Sequence, residues 1–445
     1  MSQIQDLSSL SIQSERAILA AVHLPDSVFD PDDPLGELAA LAETAGAVVV
    51  DTLIQKKRKP DPATYMGKGK VQELAGLVKL REARVVIFDC DLKPSQIRNI
   101  EEIIECKVLD RSELILDIFA HRASTLEAKL QVELAQLEYT YPRLRAMWSH
   151  LERIVGGAPT GIGTRGPGEQ QIEIDRRIVN QRKAELKREI EQIHERKVRE
   201  VTQRKSDHYT VGLVGYTNAG KSTLFNRLTA GGAYADDKLF ATLTSRTREW
   251  DLGGGNRVML TDTVGFVRDL PHHLVASFRA TLEEAMNADL LLIVLDVADK
   301  QSELHLKVVN EVLDDLQERH PRATHPPRKV LLNKADKLPD NRELLIWHQK
   351  APGSLTISAK TGAGIEELTA EVLRIMQQGE KHVYLSLPLA DSRSINFIEN
   401  RAEVLSREYT ATHAKMEVRI GSRQLDQLRS AGADFTLEPV SCDNE

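Results

Sequence analysis

The segment from Tyr209 to Leu228 constrains this chain more than any other stretch of it. Tyr209-Thr210-Val211-Gly212-Leu213-Val214 reads as a buried strand. It runs without a break into Gly215-Tyr216-Thr217-Asn218-Ala219-Gly220-Lys221-Ser222, the spacing GxxxxGK[ST], and then into the helical Thr223-Leu224-Phe225-Asn226-Arg227-Leu228. A strand, a glycine loop and a helix in that order make an anion cradle. Backbone N–H groups and the helix N-terminus converge on phosphate oxygens, so glycine is needed wherever a Cβ would block the turn. Lys221 is expected to reach the outer phosphates as a point charge, and Ser222 to give its hydroxyl to Mg²⁺.

Further motifs follow in order. Arg257-Val258-Met259-Leu260-Thr261 is a strand ending in Asp262-Thr263-Val264-Gly265. An acidic residue at that strand end is placed for a second Mg²⁺ contact, often through water, and the Gly265 N–H for sensing a γ-phosphate. Between the two motifs lies Phe240-Ala241-Thr242-Leu243-Thr244, a first switch whose threonine closes on Mg²⁺ only when the γ-phosphate is present. Thr242 is preferred to Thr244 and Thr247, although spacing alone does not separate them. Val330-Leu331-Leu332 ends in Asn333-Lys334-Ala335-Asp336, and Leu355-Thr356-Ile357 ends in Ser358-Ala359-Lys360.

These last two loops read a base. Guanine carries hydrogens on N1 and N2 that a carboxylate accepts, whereas adenine N1 presents a lone pair that the same carboxylate repels. Asp336 therefore selects guanine, Asn333 and Lys334 brace the loops, and the Ala359 N–H is expected on guanine O6. Such hydrogen-bonded sites discriminate by roughly 10⁴ or more. Together the motifs place a P-loop GTPase domain at about 207–378, with GTP as substrate. Lys221, Thr242 and Gly265 carry the catalysis, and Ser222, Thr242 and Asp262 hold Mg²⁺. The residue after Gly265 is Phe266, where Ras-like enzymes have a glutamine that orients the attacking water. Unaided hydrolysis should be slow, with a partner completing the site. Asn218 is open to two readings, a ligand for K⁺ beside the phosphates or a brace within its own loop.

A chain of 445 residues is about three times a typical domain, so several domains are expected. With 41% hydrophobic and 28% charged residues it is neither collagen-like nor mostly disordered. The longest apolar runs, Ala17 to Val22 and Leu290 to Leu295, are six residues each, against roughly 20 for a membrane-spanning helix. The N-terminal residues lack a secretory pattern. Cys90, Cys106 and Cys442 form no CxxC pair and fit a reduced compartment, so a cytoplasmic, soluble protein is expected.

Ahead of the GTPase region, four short apolar segments alternate with helix-length stretches, predicting a small parallel α/β domain over 1–115. Within it, Gly67-Lys68-Gly69-Lys70 reads as a glycine turn with solvated lysines more readily than as a phosphate or RNA contact. From 116 to 206 a helical hairpin is expected. Leu130, Leu134, Leu137, Tyr141, Leu144, Trp148, Leu151 and Val155 form a coiled-coil seam that Pro142 should kink or restart. The return helix, Glu169 to about Arg204, carries a thinner stripe of Val179, Leu186, Ile190 and Ile193. The joining loop, 156–168, has six glycines in thirteen residues, which favours a mobile tip. The chain carries a net −7, which speaks against a nucleic-acid partner, yet residues 143–205 hold 15 Lys and Arg against 9 Asp and Glu. That arm is therefore +6 and the remainder −13. It is either a solvated, salt-bridged helical pair or an arm that enters a polyanion. The tail, 379–445, reads as a small α/β domain with strands 383–387, 405–410 and 416–420 and helices 392–404 and 423–430.

The sequence resembles the HflX family of GTPases across nearly its whole length. The resemblance is carried by Gly67-Lys68-Gly69-Lys70, Asp110-Arg111, Ile118-Phe119-Ala120, Leu130-Gln131-Val132-Glu133-Leu134-Ala135, Gly161-Ile162-Gly163-Thr164-Arg165-Gly166-Pro167-Gly168-Glu169, Asp175-Arg176-Arg177 and Asp262-Thr263-Val264-Gly265-Phe266. Ala158-Pro159-Thr160 makes the tip less compact than the family pattern. What the resemblance implies is a GTPase that binds the large ribosomal subunit and separates stalled or idle ribosomes under stress, its hairpin tip probing ribosomal RNA. It also implies ATP use outside the G domain, which the Asp336 argument does not support for the G pocket. A monomer in solution is expected. Two other readings stay open: a signalling or scaffold GTPase whose hairpin binds a protein, and an RNA-remodelling NTPase.

Overall fold

The computed structural model describes residues 15–25, 29, 31–155, 167–229, 240, 246–268, 286–319, 326–378, 380–421, 424–425, 428–429 and 431–439. The first switch at 241–244 and tip residues 156–166 lie outside them.

The N-terminal domain is a four-stranded sheet, β1 (Arg16–His23), β2 (Val48–Lys56), β3 (Val85–Phe88) and β4 (Lys107–Asp110), in the order β2-β1-β3-β4. Every pairing is parallel. Seven of the eight β1 side chains are buried, as a parallel strand covered by helices on both faces requires. The helices are α1 (Gly36–Thr44), α2 (Lys68–Arg81) and α3 (Pro94–Ile104), followed by α4 (Arg111–Arg122), which straddles the expected boundary at 115. Asp110 ends β4 and starts α4, its carboxylate accepting the Glu113 N–H at 2.9 Å in an N-cap.

The hairpin consists of α5 (Leu126–Val155) and α6 (Pro167–Asp207). At about 1.5 Å per residue, α6 is roughly 60 Å long. Leu130, Leu134 and Leu186 are buried in the seam, with Leu137, Ile190 and Ile193 packed against them. Leu144, Trp148, Leu151 and Val155 lie outside the described side chains. One helix continues through Pro142, so the expected restart does not occur. A proline forfeits one N–H bond and crowds the preceding turn, but the helix here runs on to Val155. Arg182 grips Glu133 with both arms of its guanidinium at 2.7 and 2.9 Å, and Lys187 reaches Glu138 at 3.0 Å.

The G domain has the sheet order β10-β9-β8-β5-β7-β6. Its strands are β5 (Tyr209–Gly215), β6 (Arg246–Gly253), β7 (Asn256–Asp262), β8 (Leu290–Asp296), β9 (Arg328–Asn333) and β10 (Leu355–Thr356). Among the described strands only β6 runs antiparallel; it joins β7 by a glycine turn and buries Trp250 and Leu252 on one face. That edge strand was not anticipated. Among the described residues, the helices beside the sheet are α7 (Lys221–Leu228), α8 (Ser302–Arg319), α9 (Arg342–Lys350) and α10 (Ile365–Gln378). The C-terminal domain is an antiparallel sheet, β12-β13-β11-β14, with α11 (Ser392–Arg401). Its strands are β11 (Glu380–Pro388), β12 (Glu403–Tyr409), β13 (His413–Gly421) and β14 (Thr436–Pro439), the last missed from sequence. Among the described residues no helix is long and apolar enough to cross a membrane.

Candidate nucleotide-binding site

The central strands β5, β7, β8 and β9 deliver their carboxyl ends to one edge of the sheet, where parallel α/β folds bind ligands. The loop 215–222 leaves β5 there and enters α7. Gly220, at φ +94°, is one of its tight points: a Cβ would stand 2.3 Å from Asn333 Nδ2. That contact exists because Asn333 Nδ2 donates to Ala219 O at 2.7 Å, tying the phosphate loop to the base-reading loop. Asn333 Oδ1 accepts the Ala359 N–H at 2.9 Å. In this state the N–H expected on guanine O6 is therefore given to Asn333. Ser358 Oγ donates to Asp336 Oδ1 at 2.6 Å, which ties the carboxylate expected to select guanine to the 358–360 loop. Lys334 Nζ pairs with Asp296 at 2.6 Å. Arg227 binds the carbonyls of Ala359 and Lys360 at 2.7 and 2.6 Å. Neither Asp296 nor Arg227 was singled out from sequence, because each acts through tertiary proximity with no motif of its own.

Lys221 is 6% exposed, and its ammonium donates to the carbonyls of Gly215 and Tyr216 at 3.1 and 2.8 Å. Burial pushes it down to about 8, with Asp262 opposing the shift. A buried ammonium satisfied only by carbonyls is poised to exchange them for phosphate oxygens. Thr217 Oγ1 is buried in the same loop, without a hydrogen-bond partner among the described residues. Ser222 Oγ donates to Asp262 Oδ2 at 2.8 Å. Two hard oxygen donors at that spacing suit neighbouring positions around an octahedral Mg²⁺, whose bonds of about 2.1 Å put adjacent ligands about 3 Å apart. One carboxylate and one hydroxyl, completed by substrate phosphates, is the usual donor set for this ion.

Thr263 Oγ1 is committed to Leu213 O at 2.7 Å, so it braces the sheet. Val264 is buried in the core, as is Phe240, whose ring meets Phe119 of α4 edge-on at 4.6 Å. Ala241 and Thr242 fall outside the described residues. Thr247, one of the threonines that spacing left open, sits in β6 and shares a hydrogen bond with Thr261 at 3.0 Å. Asn218 is exposed with φ 59°, and no hydrogen bond from its side chain braces the loop among the described residues.

Switch residues Gly265 and Phe266 lie directly on the phosphate loop. Thr217 N donates to Phe266 O at 2.7 Å, and Phe266 N to Gly215 O at 3.1 Å. A Cβ on Gly265 would stand 2.9 Å from Thr217 Cα and 3.0 Å from Lys221 Nζ, so only glycine permits this approach. The Phe266 ring is 1% exposed within a core that α1 and α4 share with the G domain. It presents no polar group to a water.

The model described as a GTP-binding GTPase N-terminal region matches residues 32–120, a GTPase middle-region model matches 122–204, and one described as a 50S ribosome-binding GTPase matches 210–334. The GTPase HflX of Lacrimispora saccharolytica is 41% identical over 407 residues, 91% of this chain and 93% of that protein. The GTPase HflX of Escherichia coli is 42% identical over 382 residues, 85% of this chain and 87% of its own. This chain belongs to the HflX family of GTPases. It is thus a GTP-hydrolysing enzyme. Among solved structures, a GTP-binding protein of Sulfolobus solfataricus in complex with GDP is similar, at 25% identity and a TM-score of 0.44 over 82% of this chain and 99% of that one.

Proposed function

We propose that this GTPase binds the large ribosomal subunit and separates stalled or idle ribosomes under stress, with the nucleotide state controlling the association. The observation that carries the reading is the match of residues 210–334 to the model described as a 50S ribosome-binding GTPase. The +6 charge of 143–205 supports it: Arg176, Arg177 and Arg188 are exposed on α6, and a cationic arm is drawn to a polyanion.

The chemistry follows from the site. Ser222 and Asp262 would hold Mg²⁺, and Thr242 would join them when the γ-phosphate is present. The ion, when bound, neutralises charge on the phosphate oxygens. Lys221 leaves the carbonyls of Gly215 and Tyr216 for the β- and γ-phosphates, and the Gly265 N–H turns to the γ-phosphate. Phe266 cannot orient the attacking water, so the ribosome supplies or organises the group that does. Asn218 is assigned the role of holding K⁺ beside the phosphates in place of bracing its loop, and comparing turnover in K⁺ and Na⁺ tests that assignment. The protein is read as cytoplasmic, partly ribosome-bound and monomeric in solution.

The second reading, a scaffold GTPase whose hairpin binds a protein, draws on the cross-helix ion pairs, which spend Arg182 and Lys187 inside the hairpin. Co-sedimentation with large subunits at rising salt separates the two. Phosphate contacts lose affinity steeply with salt. Association that survives both high salt and nuclease treatment contradicts the RNA reading and favours the protein one.

A further inference from the structure

The N-terminal sheet has its own topological switch point, where strand order reverses between β1 and β3, and such folds bind ligands outside the strand ends at that crevice. Here the crevice is occupied by the G domain. Glu37, in the first turn of α1, and Asp89, just past β3, flank it. Arg111 is 2% exposed and spans both carboxylates, at 3.0 Å to Glu37 and 2.6 Å to Asp89. Its guanidinium also donates to the carbonyl of Arg268, three residues beyond Gly265, at 3.2 Å. Arg268 in turn reaches Asp89 at 3.1 Å, and its backbone N–H donates to the Tyr216 hydroxyl at 2.7 Å. That hydroxyl donates to Glu37 at 2.5 Å. Burial pushes the Glu37 carboxyl up, but Arg111 and the Tyr216 hydroxyl outweigh it and hold the group below its ordinary range.

The residue before Arg111 grips a third part of the molecule. Asp110, 0% exposed, accepts from the Tyr139 hydroxyl and from Arg143, both on α5. Arg143 also lies over the Tyr139 ring at 3.7 Å and donates to Leu92 O at 3.2 Å. Two consecutive residues at the start of α4 thus hold the base of the hairpin and the end of the second switch. Because they share one rigid helix start, a shift of either partner is felt by the other.

We propose that Arg111 is a positioning residue outside the G domain that biases the nucleotide site against GTP, and that Asp110 makes this positioning depend on the hairpin. The latch holds Gly265 and Phe266 down on the phosphate loop, against Lys221, in the space that a γ-phosphate must enter. GDP leaves that space empty. The latch therefore opposes GTP selectively, and movement of the hairpin base relaxes it. No ribosome is needed for this coupling, so it stands or falls separately from the function proposed above.

The test is binding of fluorescent GDP and of a non-hydrolysable GTP analogue to the full chain. Arg111→Lys keeps the charge but not the fork that spans two carboxylates and a carbonyl. It should raise affinity for the GTP analogue relative to GDP by about fivefold or more, within the usual range of coupling between sites. Arg268→Ala breaks the same latch from the G-domain side and should do likewise, which keeps the test valid if Arg111→Lys folds poorly. Tyr139→Phe, distant from the nucleotide, should move the GTP-to-GDP ratio in the same direction by about twofold or more, and should add little in the Arg111→Lys background. An unchanged ratio in both latch variants overturns the positioning role. An unchanged ratio in Tyr139→Phe, or an effect that adds in full to Arg111→Lys, overturns the link to the hairpin.

Discussion

The nucleotide loops and the three-way junction around Asp110 and Arg111 are both dense polar clusters, yet they are built on opposite terms. In the loops, each functional group rests on a partner it can give up: Lys221 on two carbonyls, Ser222 on Asp262, Asp336 on Ser358. In the junction, buried ions are matched to one another, Arg111 to Glu37 and Asp89, Arg143 to Asp110. The first arrangement suits a site that trades internal bonds for ligand bonds. The second suits a joint, because a buried ion deprived of its partner is costly. A site and a support can therefore be told apart by asking which bonds a ligand could replace.

The contrast predicts different responses to small changes. The largest effect belongs to the loops. Asp336→Asn keeps shape but replaces an acceptor with a donor facing guanine N1 and N2, and GTP binding should fall by about 10² or more in a titration. The same variant should bind xanthosine nucleotides better than wild type does, since xanthine carries a carbonyl at C2. Unchanged guanine preference would place base selection elsewhere.

At the junction the cost should appear in stability and not in base choice. Asp110→Asn leaves Arg143 and the Tyr139 hydroxyl facing a neutral amide in a fully buried position, a loss of about 3 kcal/mol. Calorimetry should show the unfolding midpoint of the N-terminal part lowered by about 6 °C or more, with GDP affinity nearly unchanged. A full-strength GDP site together with an unchanged midpoint would mean that the cluster is not a joint.

A smaller effect sharpens the loop side through pH. Burial holds the Lys221 ammonium at about 8 without nucleotide, and neighbouring phosphates must raise it. Binding above pH 8 therefore takes up a proton, and affinity for GDP should fall by up to about tenfold per pH unit there. In the empty protein the sign is opposite for stability: the folded state binds fewer protons than the unfolded chain between about 8 and the ordinary lysine value, so stability rises with pH over that window. Calorimetric titration in buffers of different ionisation enthalpy reads the proton directly. No uptake at pH 9 would contradict a buried, carbonyl-bound Lys221.

The same contrast explains what was legible in the sequence. The phosphate loop, Asp262-Thr263-Val264-Gly265 and the Asn333 and Ser358 loops are short segments whose chemistry demands particular residues at fixed spacing, so sequence names them before any fold is known. The parallel N-terminal sheet was legible from alternation of apolar segments and helices, and the hairpin from its heptads. The β6 strand and β14 were missed, since neither carries a long apolar run. The junction was only half legible: Asp110-Arg111 stood out as part of the family resemblance, but Glu37, Asp89 and Arg268 lie scattered over more than 200 residues and form no motif with it, and only topology brings the β1 and β3 crevice against the segment after Gly265. Phe266 shows how a partial reading is completed. Sequence says that it cannot orient a water, and the structure adds that its ring is buried in the core shared with α1 and α4.

The proposed function and the proposed latch share one claim, that turnover waits for an event at the hairpin. The most direct measurement is phosphate release by the intact protein with and without large ribosomal subunits, repeated after deletion of residues 156–168 and with Lys221→Ala as the blank. Slow release alone, strong acceleration by the subunits and loss of that acceleration without the tip loop are expected. Acceleration that persists undiminished in the deletion, or a rate that subunits leave unchanged, would contradict it.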